Sequence, residues 1–202
     1  MKSYPSMARG CVQHFRAHVF DKADGSNLRF EWSKKRGWYK YGTRNHLFDQ
    51  TDPVFGSAID VFQNGLAQGI ADVAKSQRWD KAVAFAEFFG PHSFAGVHLP
   101  EDPKFLALFD VSPLRKGILP PAEFLKLFGH LEITKFLGVV DWNSDYVARV
   151  RRGEVEGITF EGVVAKGMVN RELVMEKAKT QAWIDKVFTL HEKWRAQEIV
   201  ES

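Results

Sequence analysis

The sequence predicts a single α+β domain in which antiparallel sheets are flanked by helices. Three observations support this prediction. Short runs rich in aromatic and β-branched residues recur along the chain, which is typical of strands. Amphipathic runs with helical spacing lie between some of them without strict strand–helix alternation, which argues against a doubly wound parallel sheet. The length of 202 residues also fits one domain with a large core.

Seven runs are predicted as strands. In chain order they are CVQHFRAHVF, NLRFEW, AVAFAEFFG, FLALFDV, FLGVVDW, GVVAKG and ELVMEKAK. Because successive side chains of a strand point to opposite faces, Lys177 and Lys179 in the last run are expected to share a face. Two amines on one face suit a bound phosphate chain or another anion better than they suit a core.

Four runs place apolar residues at helical spacing. They are DPVFGSAIDVFQNGLAQGIADVAKSQ, LPPAEFLKLFGHL, NSDYVARVRR and TQAWIDKVFTLHEKWRAQEIV. Asp52 and the prolines after Leu119 are the expected start signals of the first two. The last run is interpreted as one amphipathic helix that closes the domain.

The composition is that of a soluble globular protein, with 45% hydrophobic and 26% charged residues. No run approaches the roughly 18–20 apolar residues that span a bilayer, and charged and polar residues interrupt the first 20 residues before a signal sequence can form. We therefore expect a cytoplasmic protein with no membrane partner. The net charge of +3 permits phosphate-bearing partners.

A lysine stands immediately before a polar turn in the stretch FDKADGSNLR. Asp24, Gly25, Ser26 and Asn27 are ordinary turn residues, and on their own they would leave Lys22 as a solvated charge. Charged residues in strand-like context follow in YGTRNHLF, AFAEFFGP, FEGVVAKG and VMEKAKTQAW. Ordinary turns would not require such a series.

These segments together resemble the motifs of the covalent nucleotidyltransferases, the superfamily of polynucleotide ligases and capping guanylyltransferases. KADGSN resembles motif I (KxDG), AEFFG motif III, LALFDV the aromatic motif after it, EGVVAK motif IV and MEKAK motif V. They follow the family order from about residue 20 to about residue 180. Asn27 ends motif I as in the nick-sealing, phage-type RNA ligases, whereas DNA ligases and capping enzymes usually carry arginine there. The implied fold is the nucleotidyltransferase domain, an ATP-grasp-like ligase adenylation fold.

The resemblance implies an ATP-dependent RNA ligase with ATP and Mg²⁺ as cofactors. Such an enzyme joins the 3′-hydroxyl and 5′-phosphate ends of nicked or splinted RNA through a lysyl-AMP intermediate. For a phage-encoded chain it would act in the host cytoplasm. The alternatives are a minimal DNA ligase, a GTP-using capping-type transferase, and a nucleotide- or RNA-binding module that lacks the chemistry.

The implied catalytic residues are Lys22, Glu161, Lys177 and Lys179. A lysine attacks phosphorus only as the neutral amine, and its reference pKa of about 10.4 is lowered by nearby cations. Lys177 and Lys179 would supply that positive field and would also stabilise charge on the transferred phosphoryl group. Glu161 is the expected Mg²⁺ ligand, with a strand-end carboxylate paired with a lysine as the structural alternative.

Three residues are implied contacts of the nucleotide. Glu87 would bind the ribose hydroxyls; in an apolar run its carboxylate is costly to bury without a partner. Phe109 would stack on adenine, although a core aromatic is an alternative. Arg44 would bind the nucleotide or the RNA 5′-phosphate, or would be a surface arginine in a GTR turn.

Three further positions complete the implied binding set. Asn27 is the residue that favours RNA. Asp21 would accept a bond from the adenine amino group or is a strand-end acid. Lys166 would contact phosphate or is the solvated end of a strand.

The end of the sequence departs from the family pattern. Residues 1–202 are expected to form a single domain without an appended OB-fold or C-terminal domain, because only about two dozen residues follow MEKAK. Two basic clusters, Lys34 to Arg36 and Arg151–Arg152, are candidates for contacts to the nucleic-acid backbone, and solvated loops explain them equally well.

Overall fold

A computed structural model describes residues 3–201. Its strands are β1 (Ala8–Arg9), β2 (Phe15–Lys22), β3 (Ser26–Ser33), β4 (Gly37–Thr43), β5 (Leu47–Phe48), β6 (Lys81–Phe89), β7 (Phe105–Pro113), β8 (Phe136–Trp142), β9 (Gly162–Val169) and β10 (Glu172–Lys179). Its helices are α1 (Ser57–Gly65), α2 (Ala67–Ser76), α3 (Pro121–Phe128), α4 (Ser144–Arg151), α5 (Gln181–Leu190) and α6 (Lys193–Glu201). Among these residues no helix has the length and apolarity that a membrane crossing requires.

The chain divides into two compact units, each built on a five-stranded sheet. The first unit contains residues 3–5 and Gly25–Thr134, and its antiparallel sheet has the order β5-β4-β3-β6-β7. Leu28, Phe30 and Trp32 alternate along β3 and are buried. The ring of Phe62 in α1 stacks on Phe30 with a centroid distance of 3.8 Å. Part of the core of this unit therefore lies between β3 and α1.

The second unit contains Ser6–Asp24 and residues 135–201, and its sheet has the order β1-β10-β9-β2-β8. All its pairings are antiparallel except that of β1 with β10. Its buried apolar cluster includes Val19, Val163 and Ala178, together with Val147 and Val150 of α4. Because side chains alternate along a strand, the opposite face of β2, β9 and β10 carries the lysines at positions 22, 166, 177 and 179. The second unit thus has one apolar face and one basic face.

The predicted fold class is confirmed: the chain is α+β with mainly antiparallel sheets, and all seven predicted runs contain strands. The strands β1, β4 and β5 were not predicted. The prediction of one closing helix is wrong, because His191 has extended backbone (φ −127°, ψ 151°) and ends α5 before α6 begins. Asp52 accepts bonds from the backbone N–H groups of Val54 and Phe55, so it caps a turn ahead of α1 rather than α1 itself.

Candidate active site

A glycine in the second sheet lies between two lysines. Lys22 at the end of β2 and Lys179 at the end of β10 both pair with Gly162, the first residue of β9. Gly162 has a φ of +150°, and a Cβ atom there would lie 2.0 Å from the carbonyl oxygen of Ala178. Only glycine fits this position. As a result, no side chain separates the two lysines.

The carboxylate of Glu161 binds both lysine amines. Its Oε2 atom lies 2.8 Å from Nζ of Lys22, and its Oε1 atom lies 3.1 Å from Nζ of Lys179. The side chains of Glu161 and Lys179 are 4% and 5% exposed, whereas that of Lys22 is 21% exposed. Charge-assisted bonds of this kind fix the positions of both amines. Of the two, Lys22 is the amine that a substrate reaches more easily.

Lys177 and Lys179 lie two residues apart on β10 and share a face, as their spacing predicts. Burial, followed by the charges of Lys179 and Lys22, lowers the pKa of Lys177 to about 8. Burial also lowers the pKa of Lys179, and the neighbouring Glu161 carboxylate opposes that effect. Cations held this close together repel one another, so an anion near them relieves the repulsion.

Trp183 supports this group, and the sequence analysis did not single it out. The Nζ atom of Lys179 lies 4.2 Å from the centre of the Trp183 ring, and the indole N–H donates to the Asp24 carboxylate at 2.6 Å. Thr180 caps α5 by accepting from the N–H of Trp183. In the sequence, Thr180 stands three residues before Trp183 at the start of a helical run, and this spacing is the signal that could have identified the cap.

Two other predicted site residues of this unit are buried. Lys166 is 2% exposed within β9, which continues to Val169, and its Nζ atom lies 4.9 Å from the Phe20 ring centre. The alternative of a solvated strand end is therefore wrong for Lys166. The buried carboxylate of Asp21 accepts bonds from the backbone N–H and the hydroxyl of Thr159.

Asn27 and Glu87 form a cross-strand pair in the first unit. Asn27 of β3 is the register partner of Glu87 on β6, so the two side chains share a face. Both residues are half-buried. Arg44 is exposed after the end of β4, which agrees with the alternative of a surface arginine and leaves its role as a nucleotide or RNA contact a prediction.

Phe109 occupies a β-bulge. Phe85 pairs with Asp110 and Ala86 pairs with Leu108, so Phe109 has no register partner on β6. A bulge re-aims a side chain, and bulges are common beside active sites. Phe109 is half-buried and packs edge-on against the ring of Tyr4 at 5.0 Å.

Tyr4 is a second residue that the sequence analysis missed. Its hydroxyl donates to the buried carboxylate of Asp110. Burial, then the charge of Asp110 and the hydrogen bond to it, and finally the charge of Glu87 raise the pKa of Tyr4 well above its ordinary value. The neutral phenol therefore persists as a hydrogen-bond donor on the face that carries Glu87 and Phe109.

The structure thus brings together Lys22, Glu161, Lys177 and Lys179 in the second unit. In the first unit it pairs Asn27 with Glu87. In such an arrangement the partly accessible amine can attack a phosphoryl group. The buried carboxylate positions that amine, and the neighbouring cations stabilise the charge on the phosphoryl group.

No protein-family model matches the chain, and no curated protein matches it by sequence. Solved structures do match. An archaeal ATP-dependent RNA ligase in form 2 has a TM-score of 0.66 at 18% identity, covering 94% of this chain and 51% of that one. An archaeal ATP-dependent RNA ligase in form 1 has a TM-score of 0.63 at 21% identity, covering 93% of this chain and 51% of that one.

An RNA ligase variant of Naegleria gruberi, solved with ATP and manganese, has a TM-score of 0.62 at 16% identity. The match covers 85% of this chain and 51% of the ligase. The chain therefore spans about half the length of the solved ligases that it matches. Their low sequence identity makes the likeness one of fold. At that level the expected fold is confirmed: the chain shares its fold with solved RNA ligases.

Proposed function

We propose that the chain is an ATP-dependent RNA ligase that works through AMP bound covalently to Lys22. The observation that carries this proposal is the contact of Lys22 with a buried carboxylate that also holds Lys179. The fold likeness to solved RNA ligases supports the same reading.

In the proposed first step, the neutral amine of Lys22 attacks the α-phosphorus of ATP. The N–P bond forms while the bond from that phosphorus to the bridging oxygen breaks, and diphosphate leaves. The ammonium form of Lys22 must first lose a proton, and Glu161, 2.8 Å away, is the proposed acceptor. Lys177 and Lys179 would stabilise the negative charge that the transferred phosphoryl group carries.

Two further transfers complete the proposed reaction. The RNA 5′-phosphate attacks the lysine-bound phosphorus, so that a phosphoanhydride forms and the Lys22 amine is released. A 3′-hydroxyl then loses its proton and attacks the RNA phosphate, and AMP leaves. Because Lys22 is used only in the first two transfers, the third depends on the surrounding groups alone.

Four residues are proposed to contact the nucleotide or the RNA end, and a fifth to contact phosphate. Glu87 would bind the ribose, and Phe109, which the bulge at β7 re-aims, would stack on adenine. Asn27 and Arg44 would bind the nucleotide or the RNA end. Lys166 is proposed as a phosphate contact.

Asp21 is retained as a proposed adenine contact, although its carboxylate already accepts two bonds from Thr159. A carboxylate offers about four lone-pair sites, so that of Asp21 can still accept a bond from a ligand.

A divalent cation would be held here by one protein carboxylate, that of Glu161, whose oxygens also contact Lys22 and Lys179. Mg²⁺ commonly takes one or two carboxylates and fills its remaining positions with water and substrate phosphate oxygens, and Glu161 supplies a carboxylate beside the proposed nucleophile. Such a cation would neutralise charge on the phosphates. The Naegleria gruberi variant solved with ATP and manganese supports ATP and a divalent metal here. The proposal has four finer parts: Mg²⁺ is that metal, nicked or splinted RNA is the substrate, the catalytic domain is single, and the chain acts in the cytoplasm.

The test is incubation with α-labelled ATP or GTP and Mg²⁺, followed by a denaturing gel. We expect label from ATP on the wild-type chain and none on Lys22→Ala. Equal labelling of Lys22→Ala excludes Lys22 as the nucleophile. Label from GTP alone favours the capping-type transferase, and no label at all favours the binding module.

A further inference from the structure

The indole of Trp183 contacts two segments of the site that lie far apart in the sequence. Its N–H group donates to the Asp24 carboxylate at 2.6 Å, and its ring centre lies 4.2 Å from Nζ of Lys179. Asp24 stands two residues after Lys22, in the turn that follows β2. One side chain thus contacts both the turn after the proposed nucleophile and a cation beside that nucleophile.

The first turn of α5 fixes where this indole lies. The backbone N–H of Thr180 donates to the carbonyl of Glu161 at 2.9 Å, and its hydroxyl donates to the carbonyl of Phe160 at 2.7 Å. The same hydroxyl accepts from the backbone N–H of Trp183, which is only 1% exposed. The start of the helix is therefore tied to the segment that carries Glu161, and the buried ring has little freedom to move.

Both contacts of the indole involve charged groups. A hydrogen bond to an ionised carboxylate is stronger than one between neutral groups, and the bond to Asp24 restrains the turn that follows Lys22. The face of an indole attracts an ammonium group, most strongly where water is excluded, and Lys179 is buried. The N–H group and the ring of Trp183 therefore act on different members of the site.

The bond to Asp24 differs from the ion pair that holds Lys22. The Lys22 amine lies beside the Glu161 carboxylate, but a lysine nitrogen bonded to AMP no longer carries a positive charge. The ion pair therefore cannot position Lys22 once it holds AMP. The bond from Trp183 does not depend on that charge, so it restrains the turn before and after the first transfer.

We propose that Trp183 is a positioning residue with two separable roles: its N–H group holds the turn after Lys22, and its ring holds the charge of Lys179. This inference rests on the proposed function, because the roles concern the transfers described there. Lys22 takes part only in the first two transfers, whereas the charge of Lys179 serves all three. Loss of the N–H bond should slow the transfers that use Lys22, and a weaker ring contact should slow all of them.

Trp183→Phe tests the role of the N–H group, because it keeps an aromatic ring and removes the donor. The rate of AMP labelling should fall roughly tenfold, since a small displacement of a reacting group costs a large factor in rate. Joining of pre-adenylated RNA should fall by no more than roughly twofold, because a phenyl ring still attracts the Lys179 amine. A purely structural role would lower both rates together, since both depend on the folded fraction.

Asp24→Ala removes the same bond from its other end. It should reproduce the labelling defect of Trp183→Phe. The double variant should be no slower than either single variant, because both substitutions remove one interaction. Asp24→Asn keeps an acceptor oxygen for the indole N–H and should retain most of the labelling rate.

A ring-fluorinated tryptophan at position 183 tests the role of the ring. Fluorine leaves the N–H group and the shape of the side chain nearly unchanged but withdraws electron density from the ring face. The attraction to the Lys179 amine is therefore weakened, and joining of pre-adenylated RNA should slow by roughly two- to fivefold. This is the step that Trp183→Phe should affect least.

Trp194→Phe is the matched control for the loss of an indole donor. Trp194 is 63% exposed, and its N–H group donates to the Glu192 carboxylate at 2.7 Å, so the substitution removes the same kind of bond outside the site. It should change neither rate. Circular dichroism checks that every variant is folded.

The outcomes separate this inference from the proposed function. If Trp183→Phe leaves labelling unchanged, or lowers labelling and joining equally, the role of the N–H group is overturned. If the fluorinated chain joins pre-adenylated RNA as fast as the wild type, the role of the ring is overturned. Either result in an active wild-type chain leaves the ligase assignment intact. A wild-type chain that neither takes label nor joins pre-adenylated RNA contradicts the proposed function, and this role with it.

Discussion

The Nζ atom of Lys22 lies 2.8 Å from Oε2 of Glu161, so the proposed nucleophile is tied to a carboxylate that is only 4% exposed. The other oxygen of that carboxylate holds Lys179. Glu161 is therefore both the counter-charge of two amines and the proposed proton acceptor.

Replacing Glu161 should lower stability as well as activity. Glu161→Gln leaves the buried amine of Lys179 without its counter-charge, and breaking a buried ion pair from one side costs roughly 3 kcal/mol or more. We expect a loss of about 3–5 kcal/mol in the free energy of unfolding, measured in urea, together with loss of AMP labelling. Asp141→Asn is the control, because its pair with Arg16 is exposed and should contribute less than about 1 kcal/mol. A Glu161→Gln chain as stable as the wild type would contradict this role.

Lys22→Ala should still join RNA whose 5′ end is already adenylated. The amine of Lys22 is used to take AMP and to deliver it, and pre-adenylated RNA bypasses both steps. Joining is measured on a denaturing gel beside wild type. Lys179→Ala should impair joining of the same RNA. In the wild-type chain the charge of Lys179 still stabilises the phosphates during this last transfer, and the substitution removes it. A folded Lys22→Ala chain that fails to join pre-adenylated RNA would refute this division of labour.

The lowered pKa of Lys177 predicts a pH-dependent stability. The folded chain releases this proton near pH 8, whereas the unfolded chain keeps it up to about pH 10.5. Between these values the unfolded state binds more protons, so the free energy of unfolding should rise with pH, by at most roughly 3 kcal/mol. Lys177→Met should lack this contribution. Urea unfolding at intervals from pH 7 to pH 10 measures it, and a constant difference between the two proteins would argue against the shift.

The same titration predicts weaker anion binding at high pH. As Lys177 loses its charge above about pH 8, the group of cations formed by Lys22, Lys177 and Lys179 attracts phosphate less strongly. Pyrophosphate affinity should therefore fall between pH 7.5 and about pH 9 in the wild-type chain. Lys177→Arg keeps its charge over this range and should show a smaller fall. Parallel pH profiles of the two proteins would exclude Lys177 as the titrating group.

Local pattern was enough to predict the side-chain directions within single strands. The period of two placed Lys177 and Lys179 on one face, and the polar turn after Lys22 marked the end of β2. Glu161 lies 139 residues beyond Lys22, and their meeting depends on the pairing of β2 and β10 with β9. Periodicity carries no information about such long-range pairing. In this sequence only the family resemblance linked Lys22 and Glu161.

Three other features could not be predicted from the sequence, each for its own physical reason. The bulge at Phe109 follows from how β6 and β7 pair, which a single strand does not reveal. The break at His191 interrupts a run whose apolar spacing continues into α6, so periodicity alone joined the two helices. The contact of Tyr4 with Asp110 joins residues 106 positions apart and depends on tertiary packing.

The sugar at the junction should decide between an RNA ligase and a minimal DNA ligase. Asn27, at the end of the motif I resemblance, favours RNA, and the 2′-hydroxyl is the group by which a protein distinguishes the two nucleic acids. We expect joining to require ribose on the 3′-hydroxyl side of the junction far more than on the 5′-phosphate side. A site that binds a hydroxyl rejects the analogue lacking it, by about 10⁴ in the best cases, because its own polar groups lose their partner.

The measurement compares the joining rates of nicked duplexes that differ only in the terminal 3′ sugar. Salt must be low and matched, because affinity for the backbone depends on it. Asn27 shares its face with Glu87, the proposed ribose contact, so Asn27→Ala serves as the matched variant and should reduce the ribose preference if this pair contributes to it. A duplex with ribose only on the 5′-phosphate side is the substrate control, and it should join no faster than one made of DNA throughout. Equal sealing of a 3′-deoxyribose end would overturn the RNA assignment in favour of the DNA ligase, because the proposed chemistry at Lys22 is common to both enzymes.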